Sequence, residues 1–120
     1  MELPEESELL RIYIGEKDKV GHITLYEAIV EEVRKRGMAG ATVLRGIISF
    51  GKSSRIHTSK ILRLSEDLPI IIEIIDKTER IEEFLPVLDT MMGNGLVTRE
   101  KVQVLVYRHN KTGKPVNDPR

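Results

Sequence analysis

Four stretches of this chain alternate or run continuously in apolar residues, and two others carry apolar residues at helical spacing. Residues 9–15 alternate, with Leu10, Ile12 and Ile14 facing one way and Arg11 and Tyr13 the other, which predicts a half-buried strand. Residues 41–50 are β-branched and apolar. Residues 68–75 (LPIIIEII) are nearly continuous isoleucine, as expected of a central strand. Residues 102–107 (VQVLVY) set Val102, Val104 and Val106 on one face and predict the last strand.

Between them lie two helical patterns. The first opens on Thr24-Leu25-Tyr26-Glu27, the Thr-x-x-Glu form of a capping box. Leu25, Ala28, Ile29 and Val33 then form its stripe, and Gly37 stops it. The second starts after Asp76 or Thr78, with Ile81, Leu85, Leu88 and Met92 as its stripe. Pro86 inside it predicts a kink, and Gly93-Asn94-Gly95 ends it.

The order β-α-β-β-α-β predicts an α+β fold, a ferredoxin-like sandwich with a four-stranded antiparallel sheet and two helices on one face. Apolar side chains fall on both faces of that sheet, so the uncovered face is expected to be used for self-association. A length of 120 residues suits a single domain. Residues 1–7 and 109–120 are expected to be flexible ends.

Composition narrows the chemistry. The 19 Lys and Arg balance the 19 Asp and Glu, which argues against a general nucleic-acid binder. Zero cysteines remove disulfides, thiolate catalysis and Cys-based zinc sites together. His22, His57 and His109 are scattered without metal-ligand spacing. The acidic start lacks a signal-peptide core, and no apolar run approaches the roughly 20 residues of a membrane span, so a cytoplasmic protein is expected that is not inserted in a membrane.

The most informative stretch is the connection at residues 51–67, GKSSRIHTSKILRLSED. A hairpin needs only a few residues to reverse, and this connection brings Lys52, Arg55, His57, Lys60 and Arg63 before its first carboxylate at Glu66. Gly51 permits a bend at its start. Such a surface suits phosphate, which Arg and Lys engage through charge-assisted hydrogen bonds, though solvated surface charge is the simpler account of any one of them.

The segments GHITLYEAIVEEVRKRGMAGATVLRGI, FGKSSRIHTSKILRLSEDLPIIIEIID and ERIEEFLPVLDTMMGNGLVTREKVQVLVYR resemble a bacterial and archaeal family of small PII-like proteins. LYEAIVE, GATVLRGI, RIHT and LSEDLPI are the most specific strings, and the likeness covers residues 8–108. The chain is more distantly similar to the PII signal-transduction proteins. That resemblance implies a homotrimer binding an adenine nucleotide (ADP, ATP or AMP) in clefts between subunits, with no required cofactor. It also implies a regulatory loop after the second strand. The association of family members with fluoride-exporting channels implies a membrane transporter or channel as partner.

Carried over by position, the PII string RGFG resembles Arg45-Gly46 and Phe50-Gly51, with three residues intervening. The PII nucleotide loop ends in Gly-Asp-Gly-Lys before the last strand. With that strand expected at 102–107, Thr98-Arg99-Glu100-Lys101 stands in its place and only Lys101 matches. Arg108 is the counterpart of the PII arginines after the last strand. The loop contains no tyrosine, so nucleotidylation of the PII kind is not expected. Arg45, Gly46, Gly51, Lys52, Arg55, His57, Lys60, Arg99, Lys101 and Arg108 are thus the candidate nucleotide or phosphate ligands.

Three other readings are weaker. A ligand-free interaction module would use the 51–67 connection as a docking surface alone. An RNA-recognition domain shares the element order, but its central strand would carry aromatics, and residues 70–75 have none. Glu66-Asp67 are adjacent carboxylates that point apart in a strand, and no activated nucleophile is identifiable, so no enzyme is expected.

Overall fold

The structure is a computed structural model that describes residues 3–47 and 68–108. Its elements are β1 (Glu6–Gly15), β2 (Lys19–Val20), β3 (Ile23–Thr24), α1 (Leu25–Lys35), β4 (Ala41–Arg45), β5 (Pro69–Asp76), α2 (Thr78–Met91) and β6 (Leu96–Gln103). Four strands form one antiparallel sheet in the order β4-β5-β1-β6, and β2 and β3 make a separate small hairpin. This is the ferredoxin-like α+β arrangement.

Strand alternation decides the faces. Leu10, Ile12 and Ile14 of β1 and Ile70, Ile72 and Ile74 of β5 share one side, where they pack with Leu25, Ile29 and Val33 of α1 and Ile81, Phe84 and Leu88 of α2. Every one of these side chains is buried. Each contributes on the order of 1.5–3 kcal/mol by leaving water. The other face is mixed. Register aligns Leu44, Ile71, Tyr13 and Leu96 in a row across it, and the next row runs Thr42, Glu73, Arg11 and Thr98. Arg11 pairs there with Glu73 at 3.0 Å and Glu100 at 3.1 Å.

The caps follow local chemistry. Thr24 Oγ1 accepts from the Glu27 N–H and donates to Glu27 Oε1 at 2.7 Å. At the other end of α1, Gly37 (φ 65°) donates to Arg34 O and Met38 to Val33 O, the paired bonds of a Schellman motif. Arg80 of α2 donates to the carbonyls of Arg36 and Gly37, joining the two helices. α2 continues past Pro86 to Met91. Neither helix is long and apolar enough to cross a membrane.

Three boundaries differ from expectation. β4 stops at Arg45 rather than reaching residue 50, of which 48–50 lie outside the described residues, because its partner β5 starts at Pro69, which has no N–H to give. β6 spans Leu96–Gln103, not 102–107, because its partner β1 runs from Tyr13, opposite Leu96, to Glu6, opposite Gln103. Glu6 and Ser7, expected in a flexible end, belong to β1; Ser7 is buried and donates to Pro4 O at 2.8 Å.

Candidate functional site

The antiparallel order brings four strand ends to one end of the sheet: β1 and β4 leave there, and β5 and β6 enter. The stems on either side of the 48–67 segment are held at this end. The Gly46 N–H donates to Pro69 O and the Glu16 N–H to Leu68 O, both at 2.8 Å. A Cβ on Gly46 would lie 2.8 Å from Pro69 Cγ, so only glycine lets the two stems approach this closely. The Arg45 guanidinium is ion-paired with Glu16, which joins the β4 stem to the end of β1.

On the opposite edge, Gly93-Asn94-Gly95 carries the chain from α2 into β6. Gly95 has φ 134°, and a Cβ there would meet Tyr13 O and Met92 Cε at 2.6 Å. This turn therefore lies against the end of β1 as only glycine can. Beside it, between the second half of α2 and the start of β6, lies an open groove of about 740 Å³. Leu85, Pro86, Met92 and Val97 supply its apolar wall, and Glu82 and Asp89 are its charged residues. Among the described residues, no lysine or arginine lines it.

The two glycine-containing features share an end of the sheet but sit on its outer strands, β4 and β6. Three strand spacings separate those edges, about 14 Å. A ligand held by both within one chain would have to cross the full width of the sheet.

The other predicted ligands are dispersed. Arg99 lies inside β6, on the helix side, with Nε donating to Glu8 Oε1 at 2.7 Å and Nη2 2.9 Å from Glu82 Oε2. Those bonds, to Glu8 first, raise its pKa further above an already high value. Glu8, buried and also accepting from Thr78 Oγ1 at 2.9 Å, is held below the usual carboxylate range, chiefly by the Arg99 hydrogen bond. Arg99 is thus engaged as a brace among β1, β6 and α2. Lys101 stands opposite Glu8 near the far end of the sheet. Arg108 follows Tyr107, whose hydroxyl donates to Ala39 O at that same far end, away from Arg45. Gly51, Lys52, Arg55, His57 and Lys60 lie outside the described residues.

The loop preceding the last strand is therefore Gly93-Asn94-Gly95 and not Thr98-Arg99-Glu100-Lys101, which is mid-strand. Two glycines flanking an asparagine were a legible signal, but they also serve as an ordinary helix stop, which hid their second use.

Comparison with known proteins gives a consistent picture. The model of the family described as "Uncharacterized ACR, COG1993" (DUF190) matches residues 7–104. A "UPF0166 protein" of Aquifex aeolicus is 37% identical over 100 residues, covering 83% of this chain and 94% of its own length. A "UPF0166 protein" of Methanocaldococcus jannaschii is 37% identical over 93 residues, covering 77% of this chain and 85% of its own. Among solved structures, CPII bound to ADP and bicarbonate, from Thiomonas intermedia K12, shares the fold. Its TM-score is 0.54 at 20% identity, covering 82% of this chain and 88% of that one.

Proposed function

This chain belongs to the DUF190 family, and from that premise we propose that it is a PII-like regulatory protein of the cytoplasm. It binds an adenine nucleotide between neighbouring copies of a homotrimer and acts on a transporter or channel through the 51–67 connection. The observation that carries this reading is the pair of glycine features at one end of the sheet but on opposite edges. One copy supplies the Gly93-Asn94-Gly95 turn and its apolar groove, and the next supplies the stem at Arg45 and Gly46. A head-to-tail contact joins unlike edges, and it makes a ring when its rotation closes after a whole number of copies.

The division of labour follows from charge. The groove's apolar wall suits an adenine ring, and the backbone N–H groups of a glycine turn suit phosphate oxygens. In the PII proteins the string before the last strand is Gly-Asp-Gly-Lys; here Gly93-Asn94-Gly95-Leu96 leads into β6, with leucine in place of the lysine. With Glu82 and Asp89 as the groove's charged residues, cations come from the adjoining copy. Arg45, Lys52, Arg55, His57 and Lys60 are the candidates. Nucleotide contact with the connection then biases it between partner-binding and partner-free arrangements, a switch of the ligand-ordering kind. Support comes from the shared fold with CPII, whose structure holds ADP and bicarbonate.

Calorimetric titration with ATP, ADP, AMP and cyclic dinucleotides tests the reading. An adenine nucleotide gives saturable heat, and replacing Lys52 and Arg55 by Ala weakens its affinity about 10-fold or more, as expected for lost charge-assisted contacts to phosphate. No heat with any of these ligands sinks the nucleotide claim and leaves a ligand-free interaction module, in which the same substitutions affect only capture of a partner.

A further inference from the structure

We propose that Glu16 is a built-in competitor for the anion at Arg45, and so sets how strongly a terminal phosphate must pull to be bound. This rests on the reading of Arg45 as a phosphate contact and adds what regulates that contact.

Arg11 faces Glu73 and Glu100, and Arg99 faces Glu8 and Glu82. Each is held between two carboxylates, with side chains 28% and 35% exposed. Arg45 is placed differently. It is the last residue of β4, its side chain is 58% exposed, and among the described residues Glu16 is its one carboxylate partner. A guanidinium carries five N–H donors in a planar fork, more than a single carboxylate can occupy.

Glu16 is mounted to stay where it is. The Gly15 N–H donates to Asp18 Oδ2 at 2.9 Å, and the Asp18 N–H donates to Gly15 O at 3.2 Å. The Leu25 N–H donates to Asp18 O at 2.7 Å, which ties this turn to the start of α1. The Glu16 N–H is itself taken by Leu68 O, and the Glu16 side chain is only 25% exposed. Backbone bonds thus fix the chain on both sides of this carboxylate. The longer and more exposed Arg45 side chain is the partner that can swing. An incoming anion therefore meets a guanidinium that is already neutralised.

The exchange then turns on charge. Leaving Glu16 costs Arg45 the attraction of one unit charge, and a singly charged anion returns no more than that. A terminal phosphate carries about −1.5 to −2 at pH 7 and offers three acceptor oxygens, so it wins the fork from a carboxylate. With the Glu16 charge removed, that cost vanishes for any anion.

Calorimetric titration with pyrophosphate and with ADP decides. Glu16→Gln keeps the shape and removes the charge. It is expected to bind both about 2- to 5-fold tighter than wild type, the range over which a partly exposed ion pair competes. Glu16→Ala is expected to shift affinity in the same direction, whereas loss of a merely structural contact would lower it. Arg45→Gln alone is expected to weaken binding, and combined with Glu16→Gln it is expected to abolish the gain. Glu32→Gln removes the same charge from the Arg36 pair on α1 and is expected to leave affinity unchanged. Equal or weaker binding by both Glu16 variants overturns the proposal. So does a gain that survives Arg45→Gln, a gain matched by Glu32→Gln, or no binding of either ligand in any variant. ADP heat that ignores Glu16 leaves the nucleotide reading standing without this one. A pyrophosphate gain with no heat from any adenine nucleotide counts against the nucleotide reading alone.

Discussion

Gly95 shows what a single missing side chain does here. Its φ of 134° and the carbonyl of Tyr13, 2.6 Å from where a Cβ would be, leave no room for alanine without moving β1 or the turn. Gly95→Ala is therefore expected to lower stability by on the order of 1–3 kcal/mol, read from the midpoint of urea unfolding. Gly93 differs: it has no positive φ and nothing within 4 Å of a Cβ, so the same substitution there meets no clash. Both residues read from the sequence as one turn signal. The distinction between them is set by the close approach of β1, some 80 positions earlier in the chain, which no local pattern encodes.

At the scale of elements, local chemistry was highly legible. The Thr24 cap, the helix of 11 residues that follows it and the Gly37 stop all stand where the residue types indicate. Thr24→Ala is expected to cost about 0.5–2 kcal/mol in thermal or urea unfolding, through loss of the Oγ1 acceptor for the Glu27 N–H. β6 lies several residues before the position its apolar pattern indicates, for a physical reason. Polarity in Thr98-Arg99-Glu100-Lys101 reads as loop, but this is an edge strand, with Arg99 paired across the sheet to Glu8 and Glu100 to Arg11. Its apolar continuation at 104–107 reads as strand, but the ladder with β1 ends at Glu6 opposite Gln103, with one further bond from the Val104 N–H to Glu5 O. The β2–β3 hairpin, two residues on each side, is too short to show any periodicity.

At the scale of the whole molecule, the Glu8 network ties β1, β6 and α2 through Arg99, Thr78 and Glu82. Glu8 titrates below its ordinary value of 4.5, chiefly because Arg99 donates to it. A depressed carboxylate contributes stability above its unfolded pKa and loses that contribution as pH falls through its folded pKa. Wild-type stability should thus decline on acidification from about pH 5 to pH 3, with Glu8 among the causes. Glu8→Gln should be less stable than wild type at pH 7 and decline less steeply over that interval, as seen by chemical unfolding at each pH. A parallel decline in both proteins would show that Glu8 is not a source of the acid sensitivity.

The sequence by itself determined the kind and order of the principal elements, the face that β1 buries and the chemistry of the α1 caps. Those features depend on neighbours within a few residues and on periods of two or 3.6. Only the tertiary structure decided where β4 and β6 end, because a strand lasts as long as its partner supplies hydrogen bonds. It likewise set apart from one another the candidate ligands that lie among the described residues. Arg45 and Gly46 stand at the end where the long connection is held, Arg99 is spent on carboxylates, and Arg108 lies beyond the far end. Distance across a sheet depends on strand order, and strand order is a long-range property of the folded chain.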